Sequence, residues 1–216
     1  MSDLKGGSLK APGLRGPSDL PIVLASGSRF RAEMLRAAGV EIEIKTAGVD
    51  EASVRDSLRA EGATAEEVAI ALAELKALSV SRKRPEAFVI GADQMLECNG
   101  IWFEKPVDRD HAAATLQALS GRTHQLISAV VVAKGGSRIW HSTQAVTMKM
   151  RHLTPEYIAA YLDAVGPEVQ ESVGAYQLEG LGAQLFHAVE GDYFTVLGLP
   201  LLPLLEFIRT HGLLMR

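Results

Sequence analysis

The chain has 216 residues, 47% of them apolar, and a formal net charge of −4. That is apolar matter enough for one well-filled core and too much for a disordered chain, and the charge has the wrong sign for a surface that adheres to nucleic acid or anionic membrane. Cys98 is the only cysteine, so an intrachain disulfide is ruled out and a reducing cytoplasm is the expected compartment.

Residues 1–20, with Gly6, Gly7, Pro12, Gly13, Gly16 and Pro17 among few large apolar side chains, read as a flexible tail without the apolar stretch of a secretory signal. Residues 21–216 then form one domain. A short buried strand over 21–25 enters the turn Ser26-Gly27-Ser28, and a helix follows over 29–38, capped by Ser28 and stopped by Gly39. Residues 41–45 alternate as a half-buried strand. Val49-Asp50-Glu51 reads as a loop. Thr64-Ala65-Glu66-Glu67 is a capping box, opening a helix with Val68, Ala71, Leu72, Leu75 and Leu78 on its apolar face. Residues 88–92 form an apolar strand expected to end on Asp93-Gln94. Asn99-Gly100 marks a hairpin turn. A helix follows over 108–119, then strands over 125–133 and 139–150 joined at Gly135-Gly136. Thr154-Pro155 starts a helix that stops at Gly166-Pro167. A short strand near 185–189 and a final helix from about Leu201 complete the chain. The run from Val196 to Leu205, broken by Gly198, Pro200 and Pro203, is no membrane span. Strands and helices interleave throughout, which makes the class α/β.

Three groups of residues carry chemistry. A strand followed by Ser26-Gly27-Ser28 and a helix suits an anion, since free N–H groups, the helix dipole and two hydroxyls converge there, with Arg31 one turn in. The plainer role for Ser28 is capping alone. Asp93 at a strand end, with Glu51 on its loop, suits catalysis or a metal, or else an Asx turn. Lys76 and Lys105 read singly as a solvated helix lysine and a loop lysine. Together with Arg31 they would supply the local cations that an acidic protein needs to hold an anion. The six histidines show no metal-ligand spacing.

Read in order, the motifs become specific. Leu24-Ala25-Ser26-Gly27-Ser28 with Arg31, Val49-Asp50-Glu51, Lys76-Ala77, Ile90-Gly91-Ala92-Asp93-Gln94, Glu104-Lys105-Pro106, Leu119 to His124, Gly174-Ala175-Tyr176 with Glu179-Gly180, and Glu190-Gly191-Asp192 resemble the signatures of the Maf family over about residues 21–210. The resemblance implies a Maf/ITPase-like elongated mixed sheet flanked by helices, with a cleft between two lobes. It implies a nucleotide pyrophosphatase that splits an NTP into an NMP and pyrophosphate with Mg²⁺, Mn²⁺ or Co²⁺, commonly as a homodimer. Asp93 matches the catalytic carboxylate. Ser26, Ser28, Arg31, Glu51, Lys76 and Lys105 match residues lining the active site, with Glu51 and Asp93 toward the metal. Which carboxylate serves as base and which holds metal stays open.

Phe30, Gln94 and Glu179 depart from the commonest Maf pattern and resemble the branch acting on 7-methyl-GTP. The chemistry agrees. Guanine offers adjacent N1–H and amino donors to a carboxylate, whereas uracil and thymine flank one N–H with two acceptors and suit an amide. The methylated ring is cationic and favours an aromatic face such as Phe30, whose other reading is a buried helix residue. The alternatives are a pyrophosphatase for dTTP, UTP or another non-methylated nucleotide, and a non-catalytic nucleotide-binding regulator of cell division.

Overall fold

A computed structural model describes residues 14–216, so the expected tail lies outside the described residues as far as Ala11, Pro12 and Gly13. From Leu14 on the chain is tied to its other end. Arg15 pairs antiparallel with Leu214, and the Gly16 and Ser18 amides donate to the Leu213 and Gly212 carbonyls. These backbone groups find partners, so residues 14–18 are part of the fold and not of a free tail.

Seven strands make one sheet: β1 (Ile22–Leu24), β2 (Glu43–Ile44), β3 (Phe88–Cys98), β4 (Ile101–Phe103), β5 (Thr123–Lys134), β6 (Ser137–Met150) and β7 (Phe186–Glu190). Their order is β2-β1-β3-β5-β6-β7, with β4 also on β3. β1 is parallel to β2 and β3, and the other pairings are antiparallel. The helices are α1 (Arg29–Ala37), α2 (Glu51–Ala60), α3 (Ala65–Ser81), α4 (Arg109–Leu119), α5 (Pro155–Val165), α6 (Tyr193–Val196) and α7 (Leu201–Thr210). The mixed α/β class is the expected one. No helix among the described residues is long and apolar enough to cross a membrane.

Alternation along β3 distributes the core. Phe88, Ile90 and Ala92 join Leu35 of α1 and Leu204 of α7 on one face. Val89 and Met95 join Leu72 and Ala73 of α3 on the other. A third cluster, with Leu96, Leu116, Leu126, Met148 and Leu162, fills the far end of the sheet against α4 and α5. Side-chain caps start the helices where the sequence marks them. Thr64 and Glu67 complete their reciprocal box, and Asp108 and Thr154 accept from the amides of His111 and Tyr157. Asn99 and Gly100 both take positive φ, 53° and 77°, as a two-residue hairpin demands.

The structure corrects four readings. β2 is exposed at both residues, because it is an edge strand with only β1 beside it. Glu51 opens a ten-residue helix, capped by Asp50, where a loop is expected. β3 does not stop at Asp93 but runs on to Cys98, backed by β5 from Val89 to Glu97. The buried face of α3 is rotated from the expected one. Val68, Ala69, Leu72, Ala73, Lys76, Ala77 and Val80 face inward, while Leu75 is 40% exposed and Ala71 and Leu78 are half-buried. Close packing decides that orientation. A Cβ at Gly91 would stand 2.1 Å from the Ala73 carbonyl oxygen, so the helix lies on the sheet along its alanines. The leucine ridge is too tall for that contact.

Candidate active site

The site begins as a notch in the sheet. The register of β3 with β1 ends at Ile90 opposite Leu24, and its register with β4 begins at Leu96 opposite Phe103. Between them Gly91 to Met95 have β5 on one side and no strand on the other. A cleft of about 410 Å³ opens there, and every site residue expected from the sequence lines it. Because the cleft straddles a strand edge, side chains from both faces reach it. Asp93 turns toward α3 and Gln94 toward α6. The strand end expected at Asp93 belongs instead to β1, beyond whose carboxyl end the cleft lies.

Lys76 stands at the centre. Its Nζ donates to Asp93 Oδ1 at 2.7 Å and lies 2.9 Å from Glu51 Oε1. Lys76 and Asp93 are both buried, at 7% and 6% exposure. A buried lysine survives only with such partners, so the solvated-lysine reading is overturned, as is the Asx turn for Asp93. The inward alanine face of α3 carries Lys76 to the strand, and Gly91, two residues before Asp93, admits the helix close enough for contact.

The Ser26–Arg31 turn forms the second wall. Ser26 Oγ accepts from the Ser28 amide at 3.2 Å and from Arg31 Nη1 at 3.1 Å, while Ser28 Oγ caps α1 by accepting from the Arg31 amide at 3.4 Å. Ser28 therefore does cap. Each hydroxyl still has its own hydrogen to donate to an anion, and the donors are held in place before any ligand arrives. Arg31 Nε is anchored on the Gly198 carbonyl at 2.8 Å. Burial lowers its pKa, while Asp93 and Glu51 oppose the shift, so a charged guanidinium is kept partly out of water. Lys105, an exposed residue overall, has its ammonium shifted down by partial burial and then by repulsion from Arg31. Both are cations that gain from an arriving anion.

The third wall is the stretch from Glu171 to Glu179. Tyr176 is buried there, with its hydroxyl 2.7 Å from His124 Nε2. Glu179 is exposed, and its charge adds to the burial and the Tyr157 effect that push the Tyr161 hydroxyl up to about 12. Phe30 is half-buried at the cleft, with the Arg29 guanidinium 5.2 Å from its ring centroid. Gln94 is turned inward: its Nε2 lies 3.0 Å from Ser128 Oγ, 3.1 Å from the Thr195 carbonyl and 3.0 Å from the Val196 carbonyl. Its amide hydrogens serve the protein, leaving only its oxygen toward the cleft.

Sequence reasoning passed over Arg55, Glu104 as a side chain, and the Ser128–Thr195 pair that holds Gln94. Arg55 lines the cleft and pairs with Glu104. Its signal was spacing: once Glu51 opens a helix, Arg55 is one turn along the same face. Counting the whole lining, Arg31, Arg55, Lys76 and Lys105 meet the carboxylates of Glu51, Asp93, Glu104, Glu171 and Glu179, four cations against five anions. No group of three or more His, Cys, Asp or Glu placed to hold a metal occurs among the described residues.

Comparison with known proteins adds an independent finding. A family described as Maf-like protein matches residues 21–211. The chain is 54% identical over 190 residues to a nucleoside triphosphate pyrophosphatase of Paramagnetospirillum magneticum, covering 88% of this chain and 98% of that one. It is 50% identical to a 7-methyl-GTP pyrophosphatase of Mesorhizobium japonicum, covering 88% and 96%. Among solved structures, a dITP/XTP pyrophosphatase of Mycobacterium abscessus aligns with a TM-score of 0.43 at 15% identity, covering 89% and 94%, a likeness too loose to bear on function.

Proposed function

We propose, from the premise that this chain belongs to the Maf-like protein family and is a nucleoside triphosphate pyrophosphatase, that it cleaves the bond between the α- and β-phosphates of 7-methyl-GTP. The observation that carries the reading is the buried ammonium of Lys76 shared by Asp93 and Glu51, beside a turn of preset anion donors.

Phosphoryl transfer asks for an oriented water and for positive charge around the phosphate oxygens. Lys76 takes one oxygen of Asp93 and fixes the carboxylate's direction, and the second oxygen accepts the water's proton. Arg31, Lys105 and the Ser26 and Ser28 hydroxyls meet the phosphates. A lining with one carboxylate more than its cations cannot by itself neutralise a triphosphate. Its donor set does suit a divalent ion of the Mg²⁺ type, which is held by one or two carboxylates together with substrate phosphates. Glu51 would hold that ion while Asp93 serves as base, the two carboxylates exchanging roles if Glu51 takes the proton, and the ion would neutralise phosphate charge and polarise the bond under attack.

The reading of a methylated base rests on Glu179 and Phe30, both lining the cleft, and on relatives bearing that name. Glu179 accepts the two guanine donors, and Phe30 offers the cationic ring an aromatic face. The test is a panel of nucleoside triphosphates, 7-methyl-GTP, GTP, UTP and dTTP, with Mg²⁺ or Mn²⁺ and with chelator. Pyrophosphate and the monophosphate should appear fastest from 7-methyl-GTP and not with chelator. Orthophosphate and a diphosphate as the only products would exclude the cleavage site, and faster turnover of UTP or dTTP would exclude the base preference.

A further inference from the structure

Arg55 is the cleft cation with no part in the chemistry above. It is pulled into the lining by α2, whose first residue is Glu51, and four residues along a helix advance about 6 Å. Its side chain is only 17% exposed and is paired with Glu104, whose own side chain is 62% exposed. The Arg55–Glu104 pair is thus opposite in kind to the pairs around Lys76. Lys76 and Asp93 are both buried, and parting them would leave a charge stranded away from water. Glu104 can return to water at little cost, so the Arg55–Glu104 pair is the one that can exchange partners.

The helix is fit for such an exchange. No residue of α2 is buried; Val54 and Leu58 only half-bury against the α3 side of the core. Apart from those contacts, the Glu51–Lys76 pair ties its first turn to α3, while the Arg55–Glu104 pair and the Arg59 guanidinium, 5.1 Å from the Trp102 ring centroid, hold the rest of α2 against β4 and the loop after it. An element with so little buried apolar surface shifts at low cost. Meanwhile the charge of Lys76 is already balanced by two carboxylates, which leaves Arg31 and Lys105 as the other cations to meet a triphosphate.

We infer that Arg55 is a further phosphate-binding residue, latched by Glu104 in the free enzyme and handed to the β- and γ-phosphates of the substrate, later the pyrophosphate product, on binding. The inference rests on the pyrophosphatase reading. A phosphate outcompetes a carboxylate for a guanidinium, because it carries more charge and offers the same forked pair of acceptors. Glu51 at the reaction centre and Arg55 one turn on set the direction: the α-phosphate stays by Lys76 and Asp93, and the terminal phosphates extend along α2. The latch also keeps the guanidinium from holding free anions when no substrate is present.

The experiment measures inhibition constants of pyrophosphate and of the product monophosphate, both with Mg²⁺, in wild type, Arg55→Met, Glu104→Gln and the double variant. Arg55→Met should weaken pyrophosphate roughly tenfold to a hundredfold, the worth of a charge-assisted contact, and leave the monophosphate nearly unchanged. Glu104→Gln should tighten pyrophosphate severalfold, and that gain should vanish in the double variant. If Glu104→Gln tightens pyrophosphate equally without Arg55, the effect is a general field and the latch is wrong. Equal losses for both products, or losses from both single variants, would make the pair a structural clasp. Should Arg55→Met not fold, Arg55→Lys keeps the charge but loses the fork, and an unchanged pyrophosphate constant would overturn the proposal. A wild type that releases no pyrophosphate from any nucleotide would instead remove the reading beneath it.

Discussion

Lys76 touches both carboxylates that the chemistry needs, so substitutions around it separate orientation from charge. Asp93→Asn keeps the side-chain size and an oxygen for the Lys76 ammonium while removing the proton acceptor. Turnover should fall by roughly a hundredfold or more, with KM less affected, as expected for the loss of a general base. A variant of near-normal turnover would transfer the base role to Glu51. On the Glu171–Glu179 stretch, Glu179→Gln replaces one acceptor by a donor that faces a guanine donor. The kcat/KM for 7-methyl-GTP should drop roughly tenfold to a hundredfold, the cost of an unpaired polar contact, while UTP is spared or improved. Because Glu179 is exposed, water can soften that penalty toward the lower end. Equal losses on both nucleotides would mean that Glu179 serves the phosphates or the fold. The structure narrows the third specificity position: Gln94 spends its amide hydrogens on Ser128 and the α6 carbonyls, so it shapes the pocket through its oxygen alone.

At the level of elements, the packing of α3 on β3 sets the distance between Lys76 and Asp93. Gly91→Ala introduces a methyl group 2.1 Å from the Ala73 carbonyl oxygen and 2.8 Å from the Ala77 amide nitrogen, both backbone atoms that cannot swing away. Overpacking of that kind costs about 1–3 kcal/mol. It should show as a lowered midpoint in urea together with a loss of activity greater than the unfolded fraction explains, because the helix that carries Lys76 must retreat. Unchanged turnover in the folded Gly91→Ala protein would break the link between packing and catalysis. The same contact explains where sequence reading succeeded and where it stopped. Caps, hairpin turns and the apolar strands were legible because each is a local signal, carried by residues such as Thr64, Glu67, Asn99 and Gly100, whereas the alternation over 41–45 misled because an edge strand need bury neither face. The face of α3 was not legible, since the leucines promise a core that only the closeness of Gly91 denies them. The continuation of β3 past Asp93 was hidden as well. Its polar Asp93 and Gln94 read as an end, yet their partners, Lys76, Ser128 and the Thr195 carbonyl, come from elements 17 to 101 residues away. Helix α2 was missed because its amphipathic face buries nothing fully, leaving little apolar pattern to read.

For the molecule as a whole, the buried histidine of β5 makes a prediction about acid stability. His124 is 1% exposed, its Nε2 bonds to the Tyr176 hydroxyl, and its Nδ1 has no partner among the described residues. Burial lowers its pKa from 6.5 to about 4, so the folded protein holds it neutral where the unfolded chain would protonate it. Between those values the unfolded state binds the extra proton, and stability therefore rises with pH. The contribution is complete above about pH 6.5 and is lost as pH falls toward 4, and its full size is about 3 kcal/mol. Glu43, Glu67, Glu86, Asp108 and Glu156, held low by hydrogen bonds, lose their contributions as pH falls through the ordinary carboxylate range, from about pH 5 down, and leave the window above that to the histidine. His124→Gln removes the titrating group but retains an amide to meet the Tyr176 hydroxyl. The variant should be less stable at pH 7.5, yet its unfolding free energy in urea should stay nearly flat from about pH 6.5 to about 5, where wild type loses stability at up to about 1.4 kcal/mol per pH unit. Since the folded protein keeps His124 neutral across this window, base selectivity at the wall that carries Tyr176 and Glu179 should hold in both proteins, and only the unfolding free energy should separate them. Parallel slopes for the two proteins would place the acid sensitivity elsewhere and leave His124 as packing alone.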